Sequence, residues 1–325
     1  MIDKKSMKIA VIIPVFNRRE TTLNYLKQMG QLDHAGAELT FIVVDDASTD
    51  GTADAIHNQY PDAIVLHGNG NLWWTGAINV GVQHALQGTY DAVLIMNDDV
   101  DVAPDFLAPL LKVAEENSGS LVSSITLHKD EEGQVEILNC GFKRKGFFGD
   151  IHSLHAGEAY SEKLAEAVPC DILTGASLFV PMSVFKKIGI FDSRNFPHNW
   201  GDFEFTLRAS LNGFPCIAAS KSIIFTEYNP NYPSLYLFLS TRRQYLRNLF
   251  DYRKFVYGFE AIYQTSYMHR PFWVGTLLYT RRLMGLLKSV AIKLLFSREQ
   301  LRRYLLNRAV KTGAPDLLVR KLRSS

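Results

Sequence analysis

Four short apolar segments, separated by stretches with helical patterning, lie within the first 125 residues of the chain. They cover residues 8–13, 40–44, 63–66 and 92–96. Strands that are apolar on both faces and alternate with helices indicate a mostly parallel sheet with helices on both sides. The predicted fold class is therefore α/β. In such sheets ligands bind beyond the carboxyl ends of the strands, so the residues that follow each strand are the first candidates for a functional site.

The remainder of the chain differs in pattern from this first part. Residues 126–168 are more polar and richer in Gly, which predicts irregular hairpins, and another strand is predicted at residues 172–180. The C-terminal part is helical, basic and aromatic. We expect two domains, an α/β domain at residues 1–232 and a helical, basic region at residues 233–325.

Charge is distributed very unevenly along the chain. Residues 241–325 contain 18 Lys and Arg against 4 Asp and Glu, whereas residues 1–240 contain 17 basic and 29 acidic residues. A basic appendage with interleaved Leu, Phe and Tyr predicts contact with an anionic membrane surface. The alternative is a helical cap on the first domain, with its charges merely solvated. No nucleic-acid-binding module is recognisable, so nucleic acid is not an expected partner.

The cellular location follows from cysteine usage and apolar run lengths. Three cysteines are far apart and form no Cys-x-x-Cys pair, which favours a reducing compartment over a disulfide framework. No run of 18 or more apolar residues predicts a membrane span, and no leader pattern is visible at the start. The expected location is cytoplasmic, with peripheral contact at the inner face of the cell membrane.

Acidic residues follow two of the predicted strands. Asp45 and Asp46 come after the second strand, and Asn97-Asp98-Asp99 comes after the fourth. Carboxylates gathered at one sheet edge repel each other unless a cation lies between them. Oxygen ligands without His or Cys favour Mg²⁺ or Mn²⁺. The alternative is that these residues form turns and cap helices, as Asp and Ser commonly do.

Three motifs stand out after the predicted strands: Pro14-Val15-Phe16-Asn17-Arg18, Val44-Asp45-Asp46-Ala47-Ser48-Thr49-Asp50-Gly51 and Asn97-Asp98-Asp99. Together they resemble the motifs of the family 2 glycosyltransferases, which have the GT-A fold, a Rossmann-like and mostly parallel sheet flanked by helices. The resemblance covers about residues 7–228. The segment at residues 70–77 is similar to a bacterial, rhamnosyltransferase-like branch of that family.

The resemblance implies roles for individual residues. Asp46 is expected to accept a hydrogen bond from the imide N–H of a uracil or thymine base. Asp99 ends the metal-binding motif and is expected to hold the ion that bridges the donor diphosphate, while Asn97 departs from the usual Asp and brings no charge. Trp74 is expected to line a sugar site, and Gly175 to permit close approach of a ligand. The full predicted nucleotide-sugar set is Pro14, Val15, Phe16, Asp46, Trp74, Gly76, Asn97, Asp98 and Gly175.

A catalytic base is expected at Asp202, which falls in a segment similar to the family's Glu-Asp-x-Asp, with Gly201 in place of Glu. The chemistry requires such a base because an acceptor hydroxyl is a weak nucleophile until its proton is removed. The alternative is that Asp202 only caps a helix. Many relatives place a metal-ligating His after the next strand. Here no His is present, and either Glu227 or a water molecule is expected to complete the metal shell.

The predicted function is therefore that of an inverting, metal-dependent glycosyltransferase. It would move a sugar from a UDP- or dTDP-sugar to a hydroxyl of a bacterial cell-surface glycan or a lipid-linked precursor. The alternative is a catalytically silent sugar-nucleotide-binding protein or membrane scaffold. A nucleotidyltransferase is disfavoured because no Gly-rich loop follows the first strand.

Overall fold

The computed structural model describes residues 6–129, 133–226, 233–251 and 258–311. By its internal contacts the chain divides into two compact units, Met1–Tyr228 and Asn229–Ser325. The first unit is a mixed α/β structure and the second is helical.

A single large sheet organises the first unit. Its strands, with the two of a separate small sheet, are β1 (Lys8–Val15), β2 (Glu38–Asp45), β3 (Ile64–His67), β4 (Ala92–Met96), β5 (Asp101–Val102), β6 (Leu121–Lys129), β7 (Val135–Asn139), β8 (Phe142–Lys145), β9 (Asp150–Ser153), β10 (Ala167–Cys170), β11 (Ser177–Pro181) and β12 (Cys216–Phe225). The helices of this unit are α1 (Arg19–Gly30), α2 (Thr52–Gln59), α3 (Trp73–Gln87), α4 (Leu107–Glu116), α5 (Met182–Ile188) and α6 (Gly201–Leu211).

The large sheet has the strand order β10-β12-β6-β11-β4-β1-β2-β3, with β5 paired to β12 and β7 paired to β6. Strands β1 to β4 pair in parallel, as do β6 and β12, whereas β11 is antiparallel to both of its neighbours. Strands β8 and β9 form the small sheet. The prediction of a mostly parallel sheet flanked by helices is therefore confirmed.

Two hydrophobic cores lie on opposite faces of the large sheet. Alternate residues of β1 point to opposite sides, so Ile12 packs in the core shared with α3, while Ile13 packs in the core shared with α1 and α4. Gly81 lets α3 approach the sheet closely, since a Cβ there would lie 2.5 Å from Cγ2 of Ile12. Both faces are thus buried, which leaves the strand ends as the place for polar chemistry.

Trp73 and Trp74 are the first two residues of α3. One local prediction was wrong. The predicted strand at residues 172–180 is shorter, because β11 begins only at Ser177. Gly175 therefore precedes the strand instead of lying within it.

The second unit consists of five helices within its described residues. They are α7 (Pro233–Leu239), α8 (Arg242–Asn248), α9 (Phe259–Tyr267), α10 (Phe272–Leu295) and α11 (Arg298–Lys311). Their core includes Phe238, Tyr245, Leu286 and Leu301. In the parts of the chain that the structure describes, no helix has both the length and the apolarity needed to cross a bilayer.

Candidate functional site

Four strands bring the predicted site residues to one edge of the sheet. β1 and β2 end together, with Val15 opposite Asp45, and β4 ends next to β1. Because β11 is antiparallel, its first residue Ser177 lies opposite Met96, the last residue of β4. The antiparallel direction therefore places residues before β11 beside residues after β4.

The carboxylate of Asp46 is buried and held by backbone groups. Its Oδ1 accepts from the N–H of Gly70 at 2.7 Å, and its Oδ2 accepts from Leu72 at 2.9 Å and Trp73 at 3.2 Å. Gly68 leaves room for it, because a Cβ at that position would lie 2.5 Å from Oδ1 of Asp46. Asp46 thus fixes the loop that leads into α3. Three accepted bonds leave capacity for about one more on an ionised carboxylate.

Trp74 links the residues that follow β4 to those that precede β11. Its indole Nε1 donates to Oδ1 of Asn97 at 2.8 Å. Its ring lies directly against Gly175, where a Cβ would meet Cη2 of Trp74 at 2.4 Å. The backbone N–H of Asn97 also donates to the carbonyl of Ala176 at 3.2 Å. The amide of Asn97 is therefore oriented by the protein, with its oxygen committed to Trp74.

Asp202 lies at the start of α6 and is half-buried. Its Oδ2 accepts from the N–H of Gly175 at 2.9 Å, and its Oδ1 accepts from the N–H of Phe203 at 2.9 Å. Burial raises the pKa of Asp202, and these backbone bonds only partly oppose that rise. The result is a carboxylate fixed in position beside Gly175 and more basic than an ordinary Asp, as a proton acceptor requires.

An arginine lies between the two carboxylates that follow β4. Nη1 of Arg18 is 3.1 Å from Oδ1 of Asp98 and 2.9 Å from Oδ2 of Asp99. Asp98 is buried and also accepts from Oγ1 of Thr22 at 2.7 Å. Burial raises the pKa of Asp98, against the opposing effect of Thr22 and Arg18. The side chain of Asp99 is 48% exposed, so it is the carboxylate of this pair that solvent reaches.

The carboxylate oxygens at this edge suit a hard divalent metal ion that is bound through few protein ligands. Within the described ranges, no group of three or more His, Cys, Asp or Glu side chains could enclose a metal ion. Magnesium is usually held by only one or two carboxylates together with substrate phosphates, and Asp99 meets that requirement. Glu227, the other predicted ligand, lies outside the described residues.

The remaining predicted residues lie close to the same edge. Pro14 and Val15 end β1, where the side chain of Val15 is buried and its carbonyl accepts from the N–H of Asp46 at 3.0 Å. A ligand could reach Val15 only through its backbone. Phe16, in contrast, is 52% exposed. Gly76 lies in the first turn of α3.

Sequence reasoning gave no role to two residues that the structure brings into the site. Arg18 belongs to the motif that follows β1. The available signal was that this cation comes directly after a strand, and that the neighbouring strand β4 is followed by Asp98 and Asp99. Trp200 adopts a left-handed conformation with φ of +69°, which is rare for a bulky residue, and directly precedes α6. Nothing in the local sequence indicates that conformation. Strain of this kind is concentrated at functional sites.

The fold is that of the GT-A glycosyltransferases. One solved structure with this fold is the mannosyltransferase PcManGT from Pyrobaculum calidifontis in complex with GDP-Man and Mn²⁺. It is similar at a TM-score of 0.55 and 15% identity, over 96% of this chain and 78% of that one. Residues 10–160 match the family described as Glycosyl transferase family 2. The match to the family 2 glycosyltransferases thus covers a little under half of the chain.

Two curated bacterial relatives are similar to parts of the chain. A polyprenol monophosphomannose synthase from Mycolicibacterium smegmatis is 30% identical over 125 residues, which is 37% of this chain and 46% of the relative. An undecaprenyl-phosphate mannosyltransferase from Micrococcus luteus is 35% identical over 109 residues, which is 33% of this chain and 44% of the relative. The chain thus spans less than half the length of these relatives.

Proposed function

We propose that the protein is an inverting glycosyltransferase that moves a sugar from a nucleotide-sugar donor to a hydroxyl group of an acceptor. The observation that carries this proposal is the position of Asp202. Its carboxylate is fixed by Gly175, and Gly175 packs against the tryptophan that holds Asn97. Direct contacts therefore link the proposed proton acceptor Asp202 to Asn97, which begins the acidic segment that follows β4.

Asp202 acts as the general base in this proposal. It takes the proton of the acceptor hydroxyl as that oxygen attacks the anomeric carbon, while the bond from that carbon to the donor diphosphate breaks. Displacement by one attack inverts the configuration at the anomeric carbon. The N–H of Gly175 keeps Oδ2 of Asp202 in place through the reaction. Positioned proton transfer of this kind contributes about 10²–10⁴-fold to a rate.

Asp99 is the proposed ligand for Mg²⁺ or Mn²⁺, with Glu227 as a second ligand. The ion would stabilise the charge that develops on the leaving diphosphate. Asn97, with its oxygen bonded to Trp74, has its amide N–H₂ left to donate to a donor hydroxyl. Asp98 stabilises the local structure through Arg18 and Thr22.

A UDP- or dTDP-sugar is the proposed donor, because the remaining acceptor capacity of Asp46 suits one imide N–H. Pro14, Val15 and Phe16 border the same edge and would flank the base. Trp74 and Gly76 in the first turn of α3 would face the sugar. The mannosyltransferase that shares the fold was solved with GDP-Man, so guanine donors are the essential comparison. Rhamnose transfer stays a prediction based on residues 70–77.

The proposed acceptor is a bacterial cell-surface glycan or a lipid-linked precursor at the inner face of the cell membrane. Both curated relatives carry a polyprenol-type lipid in their names, which supports this class of acceptor.

Nucleotide release from a panel of donors tests the proposed activity. The full chain is incubated with UDP-, dTDP- and GDP-sugars, with Mn²⁺, Mg²⁺ or EDTA, and the freed nucleoside diphosphate is measured. We expect metal-dependent release from a uracil or thymine donor. Release from GDP-sugars alone would contradict the role of Asp46. No release and no thermal stabilisation by any donor would contradict the activity itself.

A further inference from the structure

Helix α10 presents an unusual apolar stripe to solvent. Seven residues spaced alternately four and three positions apart lie on one exposed face, and five of them are apolar side chains larger than Ala. This spacing keeps residues on one side of a helix. At 1.5 Å per residue, the 24 residues of α10 extend for about 36 Å. The residues of the stripe are Trp273, Leu277, Thr280, Met284, Leu287, Ala291 and Leu294.

The opposite face of the same helix packs within the second unit. Val274, Leu278 and Leu286 are buried there, so α10 is apolar on two sides and only one of them is used for folding. Of the thirteen large exposed hydrophobic side chains in the described residues, seven belong to α10. Contiguous exposed apolar surface of this kind marks an interaction site.

The charge of α10 identifies the kind of partner. The helix contains four basic residues and neither Asp nor Glu. Arg281 and Lys288 lie directly beside the stripe, seven residues apart on the same side, and both are exposed. Two copies of the chain pairing antiparallel through this face would bring these cations together with no acidic side chain on either helix to offset them. An anionic surface is complementary to both the stripe and its border.

We propose that the exposed face of α10 docks on a lipid bilayer that contains anionic headgroups. The helix lies in the plane of the interface, with Leu277, Met284 and Leu287 among the acyl chains. Trp273 lies at the headgroup level, where its amphipathic ring is favoured. Arg281 and Lys288 contact the headgroup phosphates. This contact does not depend on the proposed transferase activity, since the stripe and its charges would bind a bilayer whether or not Asp202 is a base.

Vesicle co-sedimentation of the full chain tests the proposal. The vesicles are phosphatidylcholine alone or mixed with phosphatidylglycerol, and each is measured at low and high salt. The wild-type chain should bind the anionic vesicles and lose affinity as salt rises. Trp273→Phe should remove most of the blue shift in tryptophan fluorescence on binding. Equal binding to neutral and anionic vesicles, or no binding to either, would overturn the proposal.

The double variant Leu277→Asp, Leu287→Asp is the decisive substitution. Both side chains are exposed, so the fold should be retained, and vesicle affinity should fall by roughly a hundredfold. Phe147→Asp removes an even more exposed apolar side chain from the first unit and should leave binding unchanged. Sedimentation velocity without lipid tests the alternative that a second copy of the chain covers this face of α10. A wild-type dimer that the double variant converts to monomer would support that alternative and overturn the proposal.

Discussion

The two units of the chain place their charge and apolar surface in opposite ways. In the first, apolar residues fill two cores and polar chemistry is concentrated at one strand edge, where Asp46 and Asp202 are held by backbone N–H groups. In the second, ten of the thirteen large hydrophobic side chains exposed in the described residues face solvent beside a large excess of Lys and Arg. The comparison indicates that bond-making chemistry and surface attachment are separate properties that separate substitutions can remove.

Asp202→Asn should have the largest effect. The amide keeps the size of the side chain but cannot accept the acceptor proton, so transfer should fall by about 10²–10⁴-fold. Binding of the nucleoside diphosphate should change little, which calorimetric titration of the chain with that nucleotide can show. Transfer that survived at more than a tenth of the wild-type rate would remove Asp202 from the role of base.

The pH dependence of transfer should report the same residue. Because burial raises the pKa of Asp202, the base becomes protonated at a higher pH than an ordinary Asp, and the rate should decline through that raised value as pH falls. The contribution of Asp202 to the free energy of unfolding has the opposite pH dependence. The folded state favours the protonated acid, so this contribution is present at low pH and is lost as pH rises through the folded-state pKa.

Thermal melting of the two chains checks that sign. Asp202→Asn, which carries no charge to desolvate, should have a higher melting temperature than wild type at neutral pH. The difference between the two melting temperatures should decrease as pH is lowered. A difference that instead increased toward low pH would mean that the ionised carboxylate stabilises the folded state.

Gly175→Ala should have the next largest effect. Its Cβ would overlap the Trp74 ring, and displacement of that ring disturbs the bond to Asn97 as well as the position of Asp202. Overpacking of this kind costs about 1–3 kcal/mol of unfolding free energy, which urea denaturation measures. Gly30→Ala is the matched control, because nothing lies within 4 Å of a Cβ at that position and its φ is not positive. Equal stability of the two variants would refute the tight packing.

Arg18→Gln should have the smallest effect, and its effect should be measurable at the metal site. Removing the guanidinium leaves Asp99 without its competing cation, so the donor-free chain should bind Mn²⁺ roughly fivefold more tightly. Electron paramagnetic resonance of free Mn²⁺ provides the measurement. Arg19→Gln, next in sequence and paired with the exposed Glu20, is the control. Weaker Mn²⁺ binding by Arg18→Gln would show that Arg18 supports the metal site instead of competing for it.

Local sequence patterns predicted β1 to β4 well, because buried strands must be apolar and the residues that follow them must be polar. They also indicated Asp46, Asp99 and Asp202 as candidates. The patterns did not show that β11 runs antiparallel, which is what brings Gly175 to the edge. Nor did they show that Arg18 pairs with Asp98 and Asp99, residues 80 and 81 positions away. Long-range pairings of this kind depend on the assembled sheet, and no local periodicity encodes them.

The most direct test of the account measures donor turnover and vesicle binding together for two variants. Asp202→Asn should bind anionic vesicles as wild type does while its transfer rate falls by about 10²–10⁴-fold. Leu277→Asp, Leu287→Asp should lose vesicle binding while still releasing nucleotide from the donor in solution. Loss of both properties in either variant, or transfer by Asp202→Asn at more than a tenth of the wild-type rate, would contradict the division of roles between the two units.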